Sequence, residues 1–271
     1  MNKKYQIKTN YHTHSDYSGH ADGCIEDYIK TAIENNYEIL GMSEHCYFDD
    51  KSICRYTFDH IKKYLKEVED LKIKYKDKIK ILNGLEIDYF RNQEKIYDYY
   101  FENLDYMMMS VHYLPPDEKI PNYRSSYGLK DFDELEKYKN LVIEGIKTNQ
   151  FSIIAHPDIY IYGLENLTDK HREVFEEICK CCADYDVALE FNANGLRSMK
   201  NKSMSRSQVY PNKELFELTK KYKTKVIIGN DCHNPILLNA SDYELNLAFE
   251  EAISMGLNLI TEIKSKNPKK R

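Results

Sequence analysis

No stretch of the chain approaches the roughly 18–20 consecutive apolar residues that span a bilayer. The basic start, Met1-Asn2-Lys3-Lys4, is followed by no apolar segment of the kind found in secretory signals. Both absences point to a cytoplasmic protein with no membrane partner. Basic charge is not in excess either. Lys and Arg number 39 against 44 Asp and Glu, a net charge of −5, which argues against nucleic acid as a partner. A small anionic substrate stays open, because bound metals can invert the local sign. The seven cysteines are odd in number and follow no secreted spacing, so they read as reduced thiols. Cys179, Cys181 and Cys182 cluster on a predicted helix as small core residues. The lysine-rich end, Lys264 to Arg271, reads as a solvated tail. Low-complexity tracts, internal repeats and linkers are lacking, so the chain reads as one domain over 1–271. Its 42% apolar and 31% charged residues are ordinary for a soluble globular protein. Nothing in the pattern specifies an oligomeric state.

What is present is a repeated strand–helix alternation with histidines and acids at the strand ends. Tyr5 to Tyr11 alternates apolar and polar residues and reads as a first strand. Residues i and i+2 of an extended chain point the same way, so His12 and His14 can aim two imidazoles at one point. His20 follows in a loop able to fold back over it. Ile25, Tyr28, Ile29, Ala32 and Ile33 recur with helical spacing. An apolar run over 38–43 then ends in Glu44-His45. A helix beginning near Phe58 precedes a strand over 79–85 that ends in Glu86. A short helix near 93–103 leads to a strand over 106–111 ending in His112. The loop from Tyr113 to Lys130 is long enough to contact a substrate. A helix over 131–149, a strand over 151–155 ending in His156-Pro157 and a helix over 168–185 follow. A strand over 187–191 then leads into Asn192-Ala193-Asn194-Gly195-Leu196-Arg197. A helix over 212–222, a strand over 225–228 ending before Asp231-Cys232-His233, and a helix over 241–255 complete the chain.

Seven such alternations force a largely parallel sheet and suit a closed (β/α) barrel. All strand C-termini of a parallel barrel share one face, where such folds build active sites. Seven of the nine histidines fall there. His60 and His171 lie on predicted helices and need no function. The candidate ligands are His12, His14, His20, His45, His112, His156, His233, Glu86 and Asp231. One tetrahedral ion uses three or four protein ligands, so nine suit two to three divalent ions, with Glu86 a natural bridge. Rich in imidazole and poor in carboxylate, the set favours Zn, Fe or Mn over Mg or Ca. Arg197 can match phosphate oxygens bidentately. Arg206, Tyr123 and Arg124 are weaker candidates of the same kind.

These residues resemble the successive motifs of the PHP (polymerase and histidinol phosphatase) superfamily: His12-x-His14 with His20, Ser43-Glu44-His45, Gly84-Leu85-Glu86, Ser110-Val111-His112, Ala155-His156-Pro157 and Asp231-x-His233. The resemblance implies an α/β fold, a distorted, TIM-barrel-like (β/α)7 barrel with a trinuclear metal site on those nine residues. Within the superfamily the chain looks most like the monofunctional histidinol-phosphatase branch. Its second motif is Ser-Glu-His, Glu190-Phe191-Asn192 with Gly195-Leu196-Arg197 resembles that branch's phosphate-binding arginine motif, and Tyr210-Pro211 resembles its Tyr-Pro element. Phe191 and Ala193-Asn194 depart from the commonest forms. The implied activity is hydrolysis of L-histidinol phosphate, a small phosphorylated amine, in histidine biosynthesis. Arg197 would neutralise phosphoryl charge, His233 or a nearby acid would protonate the leaving alkoxide, and Glu44 would face the amine or imidazole end of the substrate. Arg206 and Tyr123 are further candidate substrate contacts. The alternative within the resemblance is a phosphoesterase for another small monoester or for nucleotide or nucleic-acid ends. An amidohydrolase-like barrel would lack the Glu86 and His112 pair and the final Asp-x-His, and a metal-binding scaffold would have no need of nine inward ligands.

Overall fold

A computed structural model describes residues 7–50, 54, 56–118 and 122–270. Seven parallel strands form one sheet, β1 (Thr9–Asn10), β2 (Ile39–His45), β3 (Lys80–Asp88), β4 (Tyr106–Ser110), β7 (Ile153–Ile154), β8 (Ala188–Asn192) and β9 (Val226–Gly229). Each pairs only with its neighbours in that order, and the sheet curls into a distorted (β/α)7 barrel. The seam between β9 and β1 is closed by a single bridge, Thr13 with Cys232. The helices α1 (Ile25–Glu34), α2 (Phe58–Tyr75), α3 (Glu94–Asn103), α4 (Phe132–Lys147), α5 (Asp169–Asp184) and α9 (Tyr243–Ser254) bury one apolar face each and leave charged residues outside. Several start at side-chain caps. Thr57 accepts from the His60 amide, Asp131 from Asp133 and Glu134, and Asp242 from Leu245, each occupying an amide with no intrahelical partner.

The barrel interior is filled below the strand ends by Tyr11, Ile39, Tyr106, Met108, Ile153, Ala155, Ala188 and Ile227. Tyr106 lies across Gly41 and Gly84, where any Cβ would overlap its ring, and its hydroxyl donates to the Tyr11 and Met42 carbonyls. These two glycines make room for the floor beneath the ligand residues.

Several expectations are corrected. Of the strand read over 5–11, Tyr5 and Gln6 lie outside the described residues, and only Thr9–Asn10 pairs as strand. The long loop carries a two-stranded antiparallel ribbon, β5 (Tyr113–Leu114) with β6 (Arg124–Ser125); its residues 119–121 lie outside the described set. The segment after β8 is helical, α6 (Asn194–Asn201). Gly195 inside that helix leaves room for Tyr210, whose backbone a Cβ there would strike. The helix expected over 212–222 is two pieces, α7 (Lys213–Glu217) and α8 (Thr219–Tyr222), where Thr219 Oγ1 bonds back to the Phe216 carbonyl. The C-terminal segment read as a solvated tail is docked at some positions, while Lys264, Lys269 and Lys270 are exposed as expected. Ile260 N–H bonds the Val226 carbonyl, Ser152 Oγ the Lys264 carbonyl, Lys266 Nζ the Tyr185 carbonyl, and Asn267 Nδ2 the Phe101 carbonyl. Arg271 lies outside the described residues.

Candidate metal centre

All nine expected ligands stand together at the C-terminal ends of the parallel strands. Six of the seven strands deliver one or more of them at or near the C-terminal end: His12 and His14 after β1, His45 at the end of β2, Glu86 two residues before the end of β3, His112 after β4, His156 after β7, and Asp231 and His233 after β9. Four overlapping sets bring ligand atoms within 4.8 Å of one another: His14, His45 and His233; His12, His156 and Asp231; His12, His14 and Glu86; Glu86, His112 and His156. Glu86 is central. Its Oε1 faces His156 Nε2 at 2.9 Å and His112 Nε2 at 3.5 Å, and its Oε2 faces His45 Nδ1 at 3.1 Å, His12 Nε2 at 3.4 Å and His14 Nε2 at 3.5 Å.

The tautomers decide what these nitrogens can do. His12 Nδ1 lies 2.8 Å from Glu190 Oε1, His112 Nδ1 3.2 Å from Asp88, His20 Nδ1 2.9 Å from the Ser18 carbonyl and His233 Nδ1 3.1 Å from the Asp231 carbonyl. A carboxylate or carbonyl oxygen only accepts, so each of these Nδ1 atoms carries a proton, and each Nε2 presents a lone pair whenever the ring is neutral. Yet His20 Nε2 and His233 Nε2 face each other at 3.1 Å; His12 Nε2 lies 3.1 Å from His14 Nε2 as well, where no acceptor among the described residues fixes the His14 tautomer. Facing lone pairs repel unless a cation lies between them. The residues therefore fit bound metal ions, and the bonds at Nδ1 are those that orient ligating imidazoles.

The electrostatics divide the rings into two groups. Burial, then the neighbouring His233, His45 and His12, hold His14 well below the ordinary imidazole range, in its neutral, ligating form. Burial opposes charge on His12 and His112, but Glu190, Asp231 and Glu86 outweigh it at His12 and raise it well above the ordinary imidazole range, and Asp88 and Glu86 raise His112 to about 9; without an ion both rings hold a second proton near neutral pH, which a bound cation would displace. Glu86 and Asp231 are buried, which by itself disfavours their charge, but the surrounding histidines hold both below the ordinary carboxylate range. His156 and Asp231 sit at φ 28° and 49°, left-handed backbone that costs a non-glycine residue on the order of 1–3 kcal/mol and collects at functional sites.

Beside the cluster opens a cavity of about 250 Å³ lined by His20, His45 and His112 on the metal side and by Asp88, Phe48, Tyr56, Tyr113 and Tyr127 on the other walls. Tyr127 is 39% exposed as a residue, but burial around its hydroxyl, then Asp231 and Glu86, push the phenol upward.

A family model described as PHP domain matches residues 10–194. The chain belongs to the PHP family. Among its relatives is the histidinol-phosphatase of Bacillus subtilis, 24% identical over 263 residues that cover 83% of this chain and 93% of that protein. The histidinol-phosphatase of Lactococcus lactis is 25% identical over 197 residues, covering 68% and 71%. Among solved structures, the crystal structure of the Lactococcus lactis histidinol phosphate phosphatase, complexed with zinc, L-histidinol and phosphate, superposes with a TM-score of 0.70 at 20% identity. It covers 96% of this chain and 99% of that one. This likeness places the PHP barrel over nearly the whole chain.

Other expected site residues of this PHP protein are placed elsewhere. Arg197 is buried, and its guanidinium donates to the Asn230 carbonyl (3.0 Å), to Asn230 Oδ1 (2.5 Å) and to Asp242 Oδ1 (3.1 Å). Only its Nε lacks a partner among the described residues. Helix α6 carries this side chain to the end of β9, so its bonds do not reach the cavity. Glu44 is buried beneath the cluster. Ser15 donates to its Oε1 through both amide and hydroxyl, and its Oε2 lies 3.8 Å from His14 Nδ1. Burial pushes it up to about 7; it lies beside His14 without a hydrogen bond to it and does not line the cavity. Arg206 is spent on Glu251 and the Pro211 carbonyl. Tyr123 donates to Asp50 and lines a separate cavity with Phe90 and Pro116. Arg124 pairs with Glu134. His233, with its proton on the Asp231 carbonyl, has no N–H aimed at a leaving group. His60 bonds the Tyr17 carbonyl and His171 the Leu129 carbonyl, the structural roles expected of them.

Two residues that support the centre were missed, Asp88 and Glu190. Both share a strand face with a noted residue, Asp88 two positions after Glu86 and Glu190 two before Asn192, and that period-2 placement is the signal that could have found them. Asp158 is a third buried acid, two residues past His156. Its Oδ2 accepts from the Asn212 amide at 2.5 Å, and burial pushes it up to about 7. A folded-state pKa above the unfolded value of about 3.9 means stability fully present below about pH 4 and lost as pH rises through about 7. Asp158→Asn is therefore expected to gain stability relative to wild type as pH rises from about 4 to about 7, by at most about 4 kcal/mol at 1.36 kcal/mol per pH unit, and to keep that gain unchanged above about pH 8. Denaturant unfolding across that range checks this, and parallel pH profiles would contradict it.

Proposed function

We propose that this protein is a metal-dependent phosphomonoesterase whose substrate is L-histidinol phosphate, as in histidine biosynthesis, and that it uses two to three divalent ions of the zinc, iron or manganese kind. The observation that carries this reading is Glu86, whose two oxygens each face a different set of imidazoles, the arrangement a bridging carboxylate needs. The relatives named histidinol-phosphatase support the substrate, as does the complex of the Lactococcus protein with zinc, L-histidinol and phosphate.

His12, His14, His20, His45, Glu86, His112, His156, Asp231 and His233 would hold the ions. When bound, such ions supply Lewis acidity toward phosphoryl oxygens and a water that ionises near neutral pH. The protein's own contribution is positional. Glu190, Asp88 and the backbone carbonyls of Ser18 and Asp231 fix four imidazoles by their Nδ1 protons, so no ligand has to reorient during reaction. The Tyr127 and Ser125 hydroxyls on the cavity wall are O–H donors for phosphoryl oxygens. Phe48, Tyr56 and Tyr113, with the Asp88 carboxylate, form a wall suited to a flat, cationic organic group and limit the water beside it.

Steady-state phosphate release by metal-reconstituted protein tests the proposal, with histidinol phosphate run beside 4-nitrophenyl phosphate, a nucleoside monophosphate and a short oligonucleotide. Histidinol phosphate is expected to lead in kcat/KM by about 10³-fold or more, the scale of discrimination by sites with specific polar contacts. Equal, poor turnover of all monoesters would overturn the substrate, and preference for the oligonucleotide would move the activity to nucleic-acid ends.

A further inference from the structure

We propose that Arg197 is a positioning residue that sets the barrel seam and, through it, the geometry of the metal ligands on both sides. The neighbouring strands β2, β3 and β4 pair over ladders, whereas among the described residues the segments that follow β1 and β9 share one backbone bridge, Thr13 with Cys232. That one bridge consists of His14 N–H to the Cys232 carbonyl at 2.8 Å and Cys232 N–H to the His12 carbonyl at 3.1 Å. Four ligands, His12, His14, Asp231 and His233, flank these bonds, so the register of the seam is the register of the site.

Just before the bridge, the ladder bond that would continue it is replaced by side chains. Asn230 N–H donates to Asn10 Oδ1 at 2.9 Å, and Asn10 Nδ2 donates onward to the His12 carbonyl at 2.9 Å and to Thr13 Oγ1 at 2.8 Å. Arg197 holds the other side of Asn230, with one nitrogen on its carbonyl and another on its Oδ1, and Asp242 holds Arg197. A buried chain thus runs from Asp242 through Arg197, Asn230 and Asn10 to the backbone between His12 and His14. Asn10 and Asn230 are 1% and 0% exposed, so each of these bonds lacks competition from solvent. Burying a guanidinium beside a carboxylate is a weak source of stability compared with an apolar filling. What the planar fork provides is direction, since its donors lie in one fixed plane. Here it fixes the residue immediately before Asp231, which itself stands at left-handed φ and would otherwise relax.

The inference rests on the metal cluster and is independent of which phosphate ester is hydrolysed. The test compares Arg197→Met, Arg197→Lys and Asp242→Asn with wild type. Asp242→Asn keeps an oxygen to cap α9 while removing the charge that holds Arg197, and it serves where Arg197→Met fails to fold. Zinc affinity is measured by competition with a chromophoric chelator, melting temperature with and without zinc, and affinity for inorganic phosphate by inhibition of the loaded enzyme. Weakening of zinc binding by about tenfold in Arg197→Met, the lower end for residues that orient ligands, is expected, together with a smaller zinc-induced rise in melting temperature. Arg197→Lys should recover part of both, and phosphate inhibition should change less than threefold. Unchanged zinc affinity with phosphate binding weakened tenfold or more would overturn the proposal and make Arg197 a phosphate contact. Unchanged zinc affinity with an equal loss of melting temperature in the presence and absence of zinc would also overturn it, leaving only a structural ion pair.

Discussion

Removal of the metal ions by a chelator is expected to lower the melting temperature by about 8–16 °C for each ion lost and to abolish phosphate release. An ion present at 1,000 times its dissociation constant stabilises the folded state by about 4.1 kcal/mol, and each kcal/mol moves the melting temperature of a chain of this size class by about 2–4 °C. The physical cause is visible in the cluster. His12 and His14 are fully buried, the His14 and His233 rings lie 4.4 Å apart and the His14 and His45 rings 4.5 Å apart. Without cations these groups must hold facing lone pairs or take up protons that repel one another. His14 Nδ1 and His156 Nδ1 are buried without a hydrogen-bond partner among the described residues, a cost that ligation through the opposite nitrogen would outweigh. Calorimetry of wild type, chelated protein and protein reloaded with zinc measures the effect. A chelated protein that melts where the loaded one does would show that the cluster is held by the fold alone and binds no ion tightly.

The clustering of the nine candidate ligands was legible in the sequence because a parallel barrel puts every strand C-terminus on one face. Placing a histidine or acid at the end of a run such as Tyr106 to Val111 was then enough to place it in the site. Side-chain direction after the strand ends was not legible. Arg197 follows β8 closely enough to suggest the cavity, but Asn194 to Asn201 form a helix that turns it toward Asn230. Glu44 neighbours a ligand and so points to the other face of β2, under the cluster, as period-2 alternation requires. The ribbon of β5 and β6 went unseen because two-residue strands carry no periodicity to detect. The C-terminal lysines looked solvated because charge suggests exposure, yet Lys266 places its ammonium on backbone carbonyls at 2.6 and 2.9 Å, a contact that only the folded barrel supplies.

Glu190→Gln is expected to weaken metal binding by about 100-fold, the upper end for groups that orient ligands, with activity at limiting metal falling in parallel. Glu190 Oε1 faces His12 Nδ1 at 2.8 Å, while Oε2 accepts from the His156 amide at 2.9 Å and from Asn192 Nδ2 at 2.8 Å. All these donors point at one fully buried carboxylate. An amide offers one accepting oxygen and one donating nitrogen, so it either confronts the His12 N–H with its own N–H, favouring the wrong tautomer, or releases the His156 backbone from its left-handed turn. Gly229→Ala reaches the same place without touching the carboxylate. A Cβ there would overlap the Glu190 carboxylate across the β8–β9 pair, and the whole group must move away from His12. Both variants should therefore lose zinc affinity in competition titrations, and combining them should add little, because the second change acts on a carboxylate already displaced. Additive losses would mean that Gly229 acts on β9 and Asp231 directly. Full zinc affinity in Glu190→Gln would mean that His12 is oriented by the strand alone, with Glu190 serving only to satisfy buried amides.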